Sequence, residues 1–254
     1  QAAYEAFAAM ANLVLEERAF PSDLATVLIS LFPKPKGGDR PIGLLPVTYA
    51  WIVKNWSQHL TEWDEGLGAF WDKAIKGSSA LQAALQRRLM EEVSVAVGQE
   101  NGAIMWDLEK FYDSINWEYL THWSLELGFD PTILLIGLSM HTADRHIRVG
   151  PFVGEAMGVK NSVIAGCGLA VTWSKIMLYH TLHQTHHQMS RLPKGAPNVE
   201  SFYDDLVARA VGTPSQVFAA LRDCVTLLAG LFKGAGLKYS ASKSTIVTSD
   251  PKIA

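Results

Sequence analysis

Asp204 and Asp205 stand side by side in Val199-Glu200-Ser201-Phe202-Tyr203-Asp204-Asp205-Leu206-Val207, after a run that favours β-structure and before a second apolar pair. Neighbouring carboxylates repel each other, and burying them unpaired is costly. Taken alone, the stretch reads as a solvated Asp-Asp turn between two strands. A divalent cation at the hairpin tip would be the other way to relieve the repulsion. The rest of the chain decides between the two.

With 254 residues the chain can bury a substantial core, as one large domain or two small ones. A hydrophobic content of 48% against 19% charged residues excludes a disordered chain. No apolar run approaches the ~20 residues of a membrane span, and no basic-then-apolar leader opens the sequence. The chain opens on Gln1 within a helix-favouring run, and so reads as a piece of a longer protein. Cys167 and Cys224 are too few for a disulfide framework or a zinc site. A formal charge of −3 fits a nucleic-acid binder only if the basic surface is local or lies elsewhere.

Residues 1–19 favour helix and end at Phe20-Pro21; Ala25–Phe32 is a β-rich run stopped by Pro33. Lys34, Lys36 and Arg40 follow on the Pro/Gly-rich segment Pro33–Ile42. Such a segment is either a solvated basic turn or a phosphate grip, with lysine as point charge and arginine as bidentate fork. Helical periodicity covers Val47–Glu62 and resumes from Ser78-Ser79, which can cap it, to about Val97. Ala103–Glu109 reads as a buried strand that ends in an acidic residue, Lys110–Ser114 as a turn, Asn116–Leu127 and Pro131–Thr142 as helices, and Arg145–Val149 as a half-exposed strand. Gly158, Gly166 and Gly168 precede a long helix to about Met189, and a Pro/Gly loop at Pro193–Pro197 leads to the Asp-Asp hairpin. Thr213-Pro214 opens a helix to Lys233 that Gly234-Ala235-Gly236 stops, and Lys238–Thr248 reads as a closing strand or hairpin. The tryptophans Trp51, Trp56, Trp63 and Trp71 read as packing residues. His180, His183 and His187 share one helix face at a spacing a metal could use, but no cysteine or carboxylate joins them nearby.

Strand–Asp–helix, Gly-loop–helix, strand–Asp-Asp–strand and helix–Gly–Lys occur in that order. This resembles the fingers and palm of reverse transcriptases, most closely those of non-long-terminal-repeat retrotransposons, over roughly residues 25–248. Pro33–Leu45 is similar to a fingers segment read PKP…RPISLL. Asp107-Leu108-Glu109-Lys110-Phe111-Tyr112-Asp113-Ser114 is similar to D-L-x-K-A-F-D-S, Phe202–Asp205 to [FY]-x-D-D, and Gly236–Ser244 to G-L-x-x-N-x-x-K-[ST]. The G-x-P-Q-G motif departs most: Ser162–Cys167 keeps only its last glycine, Gly166, with Ala165 in place of glutamine.

The resemblance implies an α+β right-hand fold, with a ferredoxin-like antiparallel palm sheet backed by helices. It implies fingers at 1–100, a palm at 101–254 with a fingers insertion at about 115–157, and a thumb outside this chain. It implies nucleotidyl transfer, with Mg²⁺ (or Mn²⁺) held by Asp107, the Leu108 carbonyl and Asp204, and Asp205 in a more peripheral place. Lys34, Lys36 and Arg40 would neutralise the triphosphate, and the amides of Lys110, Phe111 and Tyr112 would lie under it. The Tyr112 ring would block a ribose 2′-hydroxyl, Gly166 would let the backbone approach the nucleotide, and Lys243 would protonate the leaving pyrophosphate. The implied partners are an RNA template, a DNA primer, deoxynucleoside triphosphates, and flanking thumb and endonuclease segments, with no membrane. The implied location is the nucleus, at a site of integration. Two other readings stay open: an inactive nucleic-acid-binding remnant of a retroelement, and an RNA-dependent RNA polymerase, for which Asp113 would be the relevant acid.

Overall fold

Side-chain caps start several elements of the computed structural model, which describes residues 1–35, 37–191 and 197–253. Ser79 Oγ accepts from the Gln82 amide, Asn116 Oδ1 from Tyr119, and Asp130 Oδ1 from Thr132 and Ile133. Thr213 and Gln216 exchange both bonds of a capping box, with Pro214 next in the chain. Lys36 and most of the Pro193–Pro197 loop lie outside the described residues.

The chain forms α1 (Ala2–Glu17), β1 (Val27–Pro33), β2 (Asp39–Leu44), α2 (Val47–Asn55), α3 (Ser57–Leu67), α4 (Ala80–Ala96), β3 (Glu100–Trp106) and α5 (Phe111–Ser114). It continues through α6 (Trp117–Glu126), α7 (Pro131–His141), β4 (Arg145–Val149), β5 (Phe152–Val153) and α8 (Ala170–Met189). It ends with β6 (Asn198–Phe202), β7 (Asp205–Gly212), α9 (Pro214–Gly234) and β8 (Thr245–Thr248). The single helix expected at Val47–Glu62 is two, parted at Trp56. In the stretch Lys238–Thr248, expected as a closing strand or hairpin, Tyr239 makes an isolated bridge to Leu108, a turn follows, and the strand proper is β8.

Contacts divide the chain into two compact units, residues 1–63 with 112–176, and residues 64–111 with 177–254. In the first, the sheet order is β2-β1-β4-β5; β1 pairs antiparallel with β2 and parallel with β4. Its core includes Tyr49, Ile133, Leu134, Ile136, Met140, Leu169 and Trp173, each almost wholly buried. A Cβ at Gly137 would stand 2.6 Å from Leu169 and 2.7 Å from the Trp173 ring, so α7 needs a glycine there to lie this close.

The second unit is built on an all-antiparallel sheet of order β6-β7-β3-β8. Helix α9 buries Val217, Ala220, Leu221, Cys224, Leu228 and Phe232, a stripe at helical spacing, and lies on β7 and β3. Its 21 residues are long and apolar enough to cross a membrane, which corrects the expectation that no stretch is. Its stripe faces a sheet, as in a core helix. The α+β class and the helix-backed antiparallel sheet are as expected.

Candidate active site

Strand β3 holds the centre of its sheet, paired from Glu100 to Trp106 with β7 and from Gly102 to Met105 with β8. Asp107 is the next residue. Its amide donates to Ser244 Oγ at 3.3 Å, and its carbonyl accepts from the Ser240 amide at 2.8 Å. The Glu109 amide donates to Lys238 O at 2.8 Å. Those two bonds bracket Leu108 and leave its own carbonyl outside the pair.

Asp204 sits on the two-residue turn of the β6–β7 hairpin, closed by the Phe202–Asp205 pair. Tyr203, the first turn residue, has φ 58. A positive φ at that position alone is the pattern of a type II′ turn, where glycine is favoured. A tyrosine there is strained, and such strain collects at functional sites. Asp205, the first residue of β7, is exposed, whereas Asp204 is half-buried.

Asp107 and Asp204, 97 positions apart in sequence, come within electrostatic reach of each other in one unit. Burial raises the Asp204 pKa most, and the Asp205 and Asp107 charges raise it further; its own backbone amide works the other way. Asp107 Oδ2 is shielded from solvent and has no hydrogen bond, while Lys243 Nζ stands 3.2 Å from it as an ion pair. That distance without bonding geometry, on a lysine whose side chain is 71% exposed, marks a loose pairing that an incoming cation could displace. An orphaned carboxylate oxygen beside a carboxyl held partly against its charge fits a hard divalent cation. No group of three or more His, Cys, Asp or Glu among the described residues is set to hold an ion. Two carboxylates with an adjacent carbonyl suit Mg²⁺, which keeps waters and takes substrate phosphate oxygens.

The other expected residues are distributed as follows. Lys110 has φ 46, so the chain turns there into a left-handed step that can aim successive amides one way, and the Phe111 ring is buried. Lys34 and Arg40 are exposed on the β1–β2 hairpin of the first unit, where the Lys34 amide donates to Gly38 O at 2.9 Å. Tyr112, half-buried, and Gly166 also belong to the first unit. Gly166 has φ 91, and a Cβ there would meet nothing within 4 Å. The backbone conformation, not crowding, calls for glycine. Gly166 lines a cleft of about 470 Å³ with Gly43, Tyr49, Val53, Lys54 and Cys167.

Sequence reasoning missed what supports the Asp-Asp hairpin. Glu200 on β6 is bound at Oε1 by Arg209 Nη2 and Asn198 Nδ2, each at 3.0 Å, with Lys73 Nζ at 3.7 Å. The one signal was the charge of Glu200 inside a β-strand. Of the α8 histidines, His186 bonds Val199 O at 2.8 Å and stacks on Trp71, while His183 stacks on Tyr179 and His187 lies 3.2 Å from Arg191 Nη2.

The family model described as reverse transcriptase (RNA-dependent DNA polymerase) matches residues 32–253. Among solved structures, apo telomerase from Candida tropicalis, truncated of its C-terminal domain, is similar with a TM-score of 0.68 at 13% identity, over 94% of this chain and 54% of that one. Telomerase from the same organism in complex with a fragment of telomeric RNA gives 0.63 at 12% identity, over 92% and 42%. The chain thus spans about half the length of these neighbours or less, and the likeness is one of fold. No curated protein matches it. With a family model covering most of its length, the chain belongs to the reverse transcriptase (RNA-dependent DNA polymerase) family.

Proposed function

We propose that the chain is the fingers and palm of an RNA-directed DNA polymerase that adds deoxynucleotides to a primer 3′-hydroxyl on an RNA template. The observation that carries this is the pairing of Asp107, with its orphaned Oδ2, and Asp204, with its raised pKa, inside one unit. Phosphoryl transfer asks the protein for in-line positioning and charge stabilisation rather than covalent chemistry. Two Mg²⁺ ions, when bound, stabilise the attacking and leaving oxygens.

In this reading Asp107, Asp204 and the Leu108 carbonyl hold the ions, and Asp205 steadies the primer end. Lys34, Lys36 and Arg40 screen the triphosphate, and the amides from Lys110 to Tyr112 bind it from below. The Tyr112 ring excludes a 2′-hydroxyl. Gly166 leaves the backbone open to the nucleotide. Lys243, which pairs with Asp107 here, would turn to donate a proton to the departing pyrophosphate. A place in a non-long-terminal-repeat retroelement, working in the nucleus with thumb and endonuclease segments from flanking sequence, is the finer form of the same proposal.

The test is primer extension on an RNA template with Mg²⁺, using the chain joined to its natural flanking sequence. Extension with deoxynucleotides, abolished by Asp204→Asn, is the expected result. Ala165, standing where the family motif has glutamine, favours a second reading: an inactive nucleic-acid-binding remnant. Equal inactivity of wild type and Asp204→Asn, with both folded and binding RNA, would establish the remnant and overturn the polymerase.

A further inference from the structure

The turn that carries Tyr112 is tied to the loop ahead of α8 by a set of bonds that centres on Ser162. This residue is 3% exposed and has φ 128, a conformation that a serine adopts only under constraint. All its polar groups are engaged. The amide donates to Ile115 O at 3.1 Å, and the carbonyl accepts from Trp117 Nε1 at 2.8 Å. The hydroxyl accepts from Arg145 Nη1 at 3.1 Å and has two acceptors for its proton, Asp113 Oδ1 and Val163 O, each at 3.4 Å. Next along the chain, the Val163 amide donates to Tyr112 O at 2.7 Å, and the Ile164 amide to His141 Nδ1 at 2.9 Å.

Arg145 is the unusual member. It lies within electrostatic reach of Asp113, yet its Nε and Nη2 are shielded from solvent without any hydrogen bond. A guanidinium that leaves two shielded donors unbonded is a poor stabiliser. Its worth therefore lies in what it holds. Through Ser162 and by charge, it restrains Asp113, the residue beside Tyr112.

Asp113 is exposed, and a carboxylate is an acceptor only. A ribose differs from a deoxyribose by one hydroxyl, which is a donor. An unrestrained acid next to the tyrosine would thus offer a ribonucleotide a bond that a deoxynucleotide cannot make.

We propose that Arg145 and Ser162 are positioning residues for sugar selection: they keep the Asp113 carboxylate from a ribose 2′-hydroxyl and fix the backbone of Tyr112. This rests on the polymerase reading above. Arg145→Met frees Asp113 while retaining much of the side-chain bulk; Arg145→Lys keeps the charge.

The experiment measures deoxy- against ribonucleotide incorporation in primer extension, with the same flanked chain. Wild type should prefer deoxynucleotides. Arg145→Met should lower the ratio roughly tenfold or more, about 1.4 kcal/mol of discrimination. Arg145→Lys should restore most of it, and Arg145→Met with Asp113→Ala, which removes the acceptor, should return it towards wild type. Ser162→Ala, which removes only the bridging hydroxyl, should lower the ratio in the same direction and serves if Arg145→Met fails to fold. Active Arg145→Met or Ser162→Ala enzymes with an unchanged ratio would overturn the inference alone. So would a loss of selectivity that Asp113→Ala does not reverse. A wild type that extends no primer would overturn the polymerase reading and this one with it.

Discussion

Arg209 and Glu200 face each other across the β6–β7 hairpin, Nη2 to Oε1 at 3.0 Å, each with about nine-tenths of its side chain buried. The pair is diagonal in the register, since Arg209 stands opposite Asn198 and Glu200 opposite Val207. It lies on the two strands whose turn presents Asp204.

Breaking that pair from one side leaves a buried charge. Arg209→Met should destabilise the chain by about 3–5 kcal/mol, read as a shift in the urea midpoint. Changing both partners, Arg209→Met with Glu200→Leu, should recover most of the loss. Lys73 at 3.7 Å remains as a second cation for Glu200 when Arg209 is removed, so Glu200→Leu alone, which leaves the buried Arg209 without an acid, should cost more than Arg209→Met. A double-mutant cycle checks the coupling.

Asp204 carries a pKa raised by burial and by its two acidic neighbours. The folded chain therefore holds that proton more tightly than the unfolded one. The stability tied to it is complete below about pH 4 and is lost as pH rises through the folded value. Without metal, Asp204→Asn should melt higher than wild type at pH 7, with the difference fading under acid. Mg²⁺ at a hundredfold excess over its Kd should add about 2.7 kcal/mol to wild type and far less to Asp204→Asn. Differential scanning calorimetry with and without the ion reads both effects.

His141 behaves in the opposite sense. Burial, then the Arg145 charge, lowers its pKa from 6.5 to about 3. Its Nδ1 accepts from the Ile164 amide, so the ring is neutral with its proton on Nε2. The unfolded chain takes up a proton between pH 6.5 and about 3 that the folded chain refuses, so stability falls as pH drops through that window, by about 1.4 kcal/mol per unit at the steepest. His141→Gln, which can still accept from Ile164, should flatten this acid limb in a series of urea midpoints against pH.

Much of this molecule was legible in its sequence because the signals were local. Ser79, Asn116 and Thr213 cap helices as their residue types suggest, and Asp107 stands where an apolar β-run ends. The Asp-Asp stretch does form a hairpin. What was not legible depended on partners distant in sequence. Glu200 gave no hint of Arg209. The apolar stripe of α9 reads the same whether it meets a sheet or a lipid, and only the fold supplies β7 and β3. The spacing of the α8 histidines gave no hint that His186 would stack on Trp71. The break at Trp56 left no mark in the periodicity.

Gly166 was read as a place where the backbone must be approached closely, and the structure adds that its φ of 91 is the stricter demand. Since a Cβ there meets nothing, Gly166→Ala tests backbone strain alone. A loss of about 1–3 kcal/mol in stability is expected, with the folded state otherwise intact by circular dichroism. Loss of a similar size from Gly137→Ala would have the other cause, collision with Leu169 and Trp173.

The left-handed Tyr203 bears on how readily an ion can be captured. A glycine at that turn would fit without strain, and it would also let the tip wander among several hairpin geometries. The aromatic residue denies the tip that freedom, so the Asp204 carboxylate is confined before any cation arrives and has less disorder to give up on binding. Tyr203→Gly should accordingly raise the melting temperature of the metal-free chain while weakening its Mg²⁺ affinity, a separation of fold stability from ion affinity at a single backbone angle.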